Sequence, residues 1–148
     1  MKNKRLLAIG VILLITVALI AGINITYRDK IEAGIVELTA GDKKVSITLD
    51  DITAGEVKGV RVNGKGEEIE VEGEGILLGT LLNNKGFKAY NKVTVISDDS
   101  YSAEVSYDEI IAGTEAYIIE DEGEARLVVF GDSNSKRSVS NVKQIVVE

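Results

Sequence analysis

Any chemistry in this chain must come from carboxylates, lysines, arginines, tyrosines or a bound group, because the sequence contains no cysteine and no histidine. That removes Ser–His–Asp and Cys–His nucleophiles, Cys-ligated metals and zinc-hydrolase centres together. Two acidic stretches have the density of a ligand set. Glu67–Glu74 carries carboxylates at alternate positions, and Asp98-Asp99-Ser100 lies between two apolar segments. Calcium takes several oxygen ligands, commonly from a loop wrapped around the ion. Alternation instead lines the Glu67–Glu74 carboxylates along one solvated strand face, and a polar hairpin turn needs the Asp-Asp-Ser residue types anyway. Neither stretch is assigned a metal. Hydrogen-bond donors gather once, in Ser133-Asn134-Ser135-Lys136-Arg137. A phosphate-like anion could dock there, with Arg126 or Arg61 approaching in the fold, although an ordinary loop tip is the simpler reading. Tyr90, Tyr101, Tyr107 and Tyr117 suit a sugar- or peptide-binding surface. With two Phe and no Trp in the chain, they are assigned to core bulk instead.

These candidates sit behind a segment that fixes where they work. Leu6–Ile25 is apolar and uncharged and follows Lys2, Lys4 and Arg5. At about 1.5 Å per residue it spans roughly 30 Å, the thickness of a bilayer's hydrocarbon core. The basic stub at residues 1–5 predicts a cytoplasmic N-terminus and an extracytoplasmic remainder. A cleaved signal is the alternative, with Leu19 and Ala21 at a poor cleavage site. Both readings export the rest of the chain. Of the 17 Lys+Arg, three precede the span, leaving 14 against 24 Asp+Glu in the exported part. That acidity disfavours nucleic acid and anionic lipid as partners.

Residues 26–43 read as a tether and first strand, and residues 44–148 as one domain. Strand patterns cover Lys44–Leu49, Val57–Val62, Glu67–Glu72, Val93–Ser97, Tyr101–Val105, Ala116–Ile119, Arg126–Phe130 and Val142–Val147. Asn63-Gly64 predicts a type I′ hairpin turn. Thr48-Leu49-Asp50-Asp51 and Ser106-Tyr107-Asp108-Glu109 have capping-box form, each followed by Ile-x-Ala-Gly, with Gly55 and Gly113 as expected left-handed helix ends. Shared capping physics accounts for this pair of matches; a duplicated strand–helix unit is the alternative. A third helix is expected over Ile76–Lys85, ending at Gly86.

From about Lys44 to Glu148 the order of elements resembles the molybdopterin-binding domain of the sulfite oxidase family in a short form. Ile47-Thr48-Leu49-Asp50-Asp51-Ile52 resembles its opening strand and turn. Gly75-Ile76-Leu77-Leu78-Gly79-Thr80-Leu81-Leu82 resembles its Gly-x-Pro-Leu-x-x-Leu-Leu helix, with Leu77 in place of proline. Asp99-Ser100-Tyr101 resembles an Asp-Gly-Tyr turn, Arg126-Leu127-Val128-Val129 a late Arg-Leu-Val-x strand, and Ser138–Ile145 the closing run. The resemblance implies a β-rich α+β, mixed-sheet fold with a few short helices behind one N-terminal transmembrane helix. It also implies a molybdopterin cofactor held near Arg61, Asn63, Arg126, Lys136 and Arg137. The family's metal-ligating cysteine falls where this chain has Arg61-Val62-Asn63-Gly64. No catalytic residue and no metal ligand are assigned. The expected function is a membrane-anchored, non-catalytic binding or accessory module for an unidentified protein or small molecule. An oxidoreductase subunit holding molybdopterin without a thiolate, and a structural or adhesive cell-surface module, are the alternatives.

Overall fold

The computed structural model describes residues 34–148, which belong to one compact unit. The basic stub, the expected span at residues 6–25 and the tether as far as residue 33 lie outside the described residues. Among the described residues no helix is long and apolar enough to cross a membrane.

The fold is mostly β, with one mixed and one antiparallel sheet and three short helices. Sheet A contains β1 (Val36–Ala40), β2 (Lys43–Ile47), β5 (Lys92–Ser97), β6 (Ser102–Ser106) and β9 (Val142–Val147), in the order β2-β1-β9-β5-β6. Among the described residues, β1 and β9 are the one parallel pair. Sheet B contains β3 (Gly55–Val62), β4 (Glu68–Leu77), β7 (Ala116–Asp121) and β8 (Glu124–Val129), in chain order. Helices α1 (Leu49–Ile52) and α3 (Tyr107–Ile111) each carry the chain from an edge strand of sheet A to sheet B, and α2 (Leu78–Asn84) carries it back.

Alternation builds the core between the sheets. On β7, Ala116 and Ile118 face it, and on β8 Ala125, Leu127 and Val129 do. Sheet A answers with Val36, Leu38, Val93, Val95, Val105, Ile145 and Val147, and the helices add Ile52, Leu78, Leu81 and Leu82. The register of β5 against β9 shifts at Ile96/Ser97, and this irregularity lets Val142 and Ile145 both be buried despite their odd spacing. The opposite face of sheet B keeps a smaller cluster of Val57, Ile119, Val128 and Phe130. Gly59 leaves the room that Phe130 fills, since a Cβ there would lie 2.7 Å from the ring.

Three local expectations are corrected. The Asn63 hairpin closes through Gly64–Gly66: Gly66 N–H donates to Asn63 O at 3.0 Å, and the left-handed residue is Gly66 (φ +82°), with neither Asn63 nor Gly64 at positive φ. This three-residue loop is fixed by the side chain of Asn63, whose Oδ1 accepts from Lys65 N and Glu67 N, each at 2.9 Å. Ile76 and Leu77 belong to β4, because Ile76 pairs with Ile118 and Leu77 with Tyr117, so the helix begins at Leu78. Gly55 opens β3 in ordinary backbone geometry, whereas Gly113 takes the left-handed conformation (φ +88°) expected of it.

Candidate functional site

The five basic or polar residues expected to hold an anionic group divide between separate neighbourhoods. Arg137 is consumed within the chain. Its Nε and Nη2 donate to Asp132 at 2.8 and 2.6 Å, and its Nη1 donates to Glu109 Oε1 at 2.6 Å. The forked guanidinium suits two carboxylates at once, and Asp132 foremost holds it more firmly protonated than usual. Lys136 contributes its backbone: its carbonyl accepts from Tyr101 Oη at 2.6 Å, and its N–H donates to Asn134 Oδ1 at 2.9 Å. Asn63 is occupied by its own turn and by Glu67 Oε2 at 2.9 Å.

Arg61 and Arg126 do come together. They line a cleft of about 210 Å³ on the outer side of sheet B, where β4 parts from β7. Arg126 Nη1 donates to Asp121 Oδ2 at 2.6 Å, and its Nε is buried with no acceptor. Burial first, and then the like charge of Arg126, lower the pKa of Arg61, with Asp121 opposing. Glu70, Glu72 and Glu120 line the same cleft, so it is not a net cationic site. A pyrophosphate needs several unengaged cationic donors converging on one spot. The residues present do not fit a pterin phosphate: Arg137 is engaged twice over, Arg126 is paired, and acids surround Arg61. The segment Arg61–Gly64 is the end of a strand and its exposed turn, with no soft ligand for molybdenum.

The acidic candidates are equally plain in geometry. Glu68, Glu70, Glu72 and Glu74 stand exposed along one face of β4, and Lys58 Nζ reaches Glu72 at 3.5 Å. Among the described residues no group of three or more carboxylates is arranged to hold a metal ion. Asp99 accepts from Ser97 Oγ and from Tyr101 N, and these bonds lower its pKa. That is the work of a turn, with Ser100 at φ +70°. Of the tyrosines, Tyr90 and Tyr107 pack edge to face with centroids 5.1 Å apart, and Tyr117 packs against Phe130 at 5.6 Å. Tyr101 is half exposed over the Lys136 loop.

One concavity among the described residues was not among the sequence candidates. It is a half-open groove of about 460 Å³ between the start of α2, the end of α3 and the strand entry that follows. Leu77 and Ile111 stand exposed on its walls, Tyr117 forms part of its floor, and Thr80, Asn83 and Glu115 supply polar groups. None of those three polar side chains has a hydrogen-bond partner among the described residues. Its walls come from segments some thirty residues apart in sequence, Leu77–Asn83 and Ile110–Tyr117, so no local motif marks it. An apolar concavity with a few unengaged polar groups is the usual form of a binding site. No known protein family and no curated protein matches the chain.

Proposed function

We propose that this protein is a membrane-anchored, extracytoplasmic binding or accessory module, non-catalytic, on a domain of the molybdopterin-binding type. The observation that carries the reading is a contrast in how polar groups are used. Two of the guanidinium groups that could grip a phosphate are engaged with acids, in Arg137–Asp132–Glu109 and Arg126–Asp121. Thr80, Asn83 and Glu115, whose side chains have no partner among the described residues, line the Leu77–Tyr117 groove alongside apolar side chains, and Glu115 is the single charge in its lining. Such a lining recognises a ligand and offers no acid–base pair and no anion clamp. The expected tether begins at residue 26, directly behind the expected span at residues 6–25.

The test uses the full chain expressed in a host that makes molybdopterin. A single cysteine introduced at the exposed Lys65 should react with a membrane-impermeant maleimide in intact spheroplasts, and the purified chain should carry neither molybdenum nor pterin. Molybdenum near one per chain, with pterin fluorescence after oxidation, would replace this reading with the oxidoreductase one. Labelling of that cysteine only after the spheroplasts are lysed would remove the extracytoplasmic assignment.

A further inference from the structure

The two sheets present four edges, and they are not equally defended. In sheet A, β2 and β6 are five residues long. The β8 edge is partly closed, because Leu127 exchanges hydrogen bonds with Val139 at 2.8 and 3.1 Å. The β3 edge runs eight residues without proline or bulge, and its outer side has no partner among the described residues. Asn63 N–H donates to Glu67 O at 2.9 Å, so Asn63–Glu67 is a hydrogen-bonded pair. Alternation then turns the backbone groups of Gly55, Val57, Gly59 and Arg61 toward β4. Those of Glu56, Lys58, Val60 and Val62 point away from the sheet. A long open row of this kind is a template for another strand.

The charges along the edge say which strand. We propose that β3 docks on β3 of a second copy, antiparallel about a two-fold axis at Val57, joining two four-stranded sheets into one of eight. A two-fold pairing must set the outward-pointing residues against each other, and axes at Val57, Lys58, Gly59 or Val60 do so over at least five residues of β3. At Lys58, that lysine would face its own copy. At Gly59, Lys58 would face Val60 and Glu56 would face Val62. At Val60, that valine would face its own copy and Lys58 would face Val62, with no opposite charges brought together. At Val57, Glu56 of each copy lies opposite Lys58 of the other, twice over, and Val57 meets Val57. The sequence Glu56-Val57-Lys58 is its own complement when reversed. The acidic row of β4 does not oppose this pairing. The two rows stand three strand spacings apart, about 14 Å, beyond the Debye length of roughly 8 Å at physiological salt. One strand edge buries less than the ~1,200 Å² of a standard stable interface. The pairing therefore needs concentration, which confinement in a membrane plane supplies. In that respect alone the inference rests on the anchoring proposed above.

The absence of native cysteine makes the register directly readable. Two tagged full-length chains, one Glu56→Cys and one Lys58→Cys, are co-expressed and oxidised in their membranes. Opposed residues of a hydrogen-bonded pair have Cα atoms about 5.5 Å apart, within disulfide reach, whereas two copies of Lys58→Cys lie beyond about 7 Å. The expected result is a mixed disulfide dimer with little product from either variant alone. Cross-linking in every combination, or in none, overturns the proposal. Charge reversal gives an independent readout by sedimentation equilibrium of the full chain in detergent. Glu56→Lys or Lys58→Glu alone should weaken association about tenfold, and the two together should restore it. A dimer indifferent to all three belongs to another surface and also overturns it. The detergent measurement does not depend on anchoring, so failure of the edge and failure of the anchor give different results.

Discussion

Thr48–Gly55 and Ser106–Gly113 carry the same eight-residue pattern, and each leaves an edge strand of sheet A for sheet B, yet they become different structures. Their beginnings agree. Asp51 accepts from Thr48 N at 3.0 Å, and Glu109 from Ser106 N at 3.0 Å. Each capping acid then reaches a distant base: Asp51 to Lys85 and Glu109 to Arg137, both at 2.6 Å. Their ends diverge. The first helix stops at Thr53, whose hydroxyl donates to Leu49 O at 3.1 Å, and Ile52 is fully buried. The second continues to a left-handed Gly113, with Thr114 N–H donating to Glu109 O at 3.0 Å, and leaves Ile111 62 % exposed. A capping box therefore decides where a helix begins. Where it ends is decided by the strand that must be entered next: β3 starts within three residues of α1, and β7 waits five residues beyond α3.

The comparison is sharpest between Ile52 and Ile111, which stands where the first segment has Thr53. Ile52→Ala should cost about 2–5 kcal/mol of folding stability in urea titration, whereas Ile111→Ala should stay within roughly 0.5 kcal/mol. Equal losses would mean that the groove wall is as deeply packed as the core. Next come the distant bases. Arg137→Met strands Asp132 and Glu109 in a partly buried setting and should cost about 2–3 kcal/mol, while Lys85→Met removes a single partner and should cost about half that. Smaller again are the glycines. Gly113→Ala forces a side chain into left-handed backbone, for about 1 kcal/mol of destabilisation, and Gly55→Ala should be neutral or slightly stabilising, with nothing within 4 Å of its Cβ position. The smallest effect is a pH dependence. Asp51 and Glu109 both titrate below their ordinary values, 3.8 and 4.5, the first chiefly through Lys85 and the second chiefly through the Ser106 N–H. Carboxyls lowered in the folded state stabilise it above the unfolded pKa, and that support is lost as pH falls through the folded value. Asp51→Asn and Glu109→Gln should each flatten the acid limb below about pH 4.5 while leaving its neutral-pH shape unchanged.

What could be read from the chain was what neighbouring residues decide. Both capping acids, the turn role of Asp98-Asp99-Ser100, the bounds of β9 and the ends at Gly86 and Gly113 are local consequences of side-chain type. The start of α2 was not legible. Ile76 and Leu77 continue the helical pattern expected over Ile76–Lys85, and their pairing with Ile118 and Tyr117, some forty residues on, makes them strand. The same limit applied to the candidate site. Lys136-Arg137 looks like a free cationic loop in sequence: of the two acids that engage Arg137, Asp132 lies only five residues back and was legible, whereas Glu109 lies 28 residues away. The groove walled by Leu77 and Ile111 has no local signature at all.

The position of β9 also sets an order of folding. It is the middle strand of sheet A, with Glu37 of β1 aligned to Gln144 and Val95 of β5 aligned to Ile145. The β1–β2 and β5–β6 hairpins can each form early, but they have no common partner until residues 142–147 arrive. Closure across more than a hundred residues carries an entropic cost, and high contact order slows folding. Chains delivered N-terminus first would thus remain pliable through most of their delivery. They would become resistant to proteolysis abruptly, when one short strand slides between two waiting hairpins.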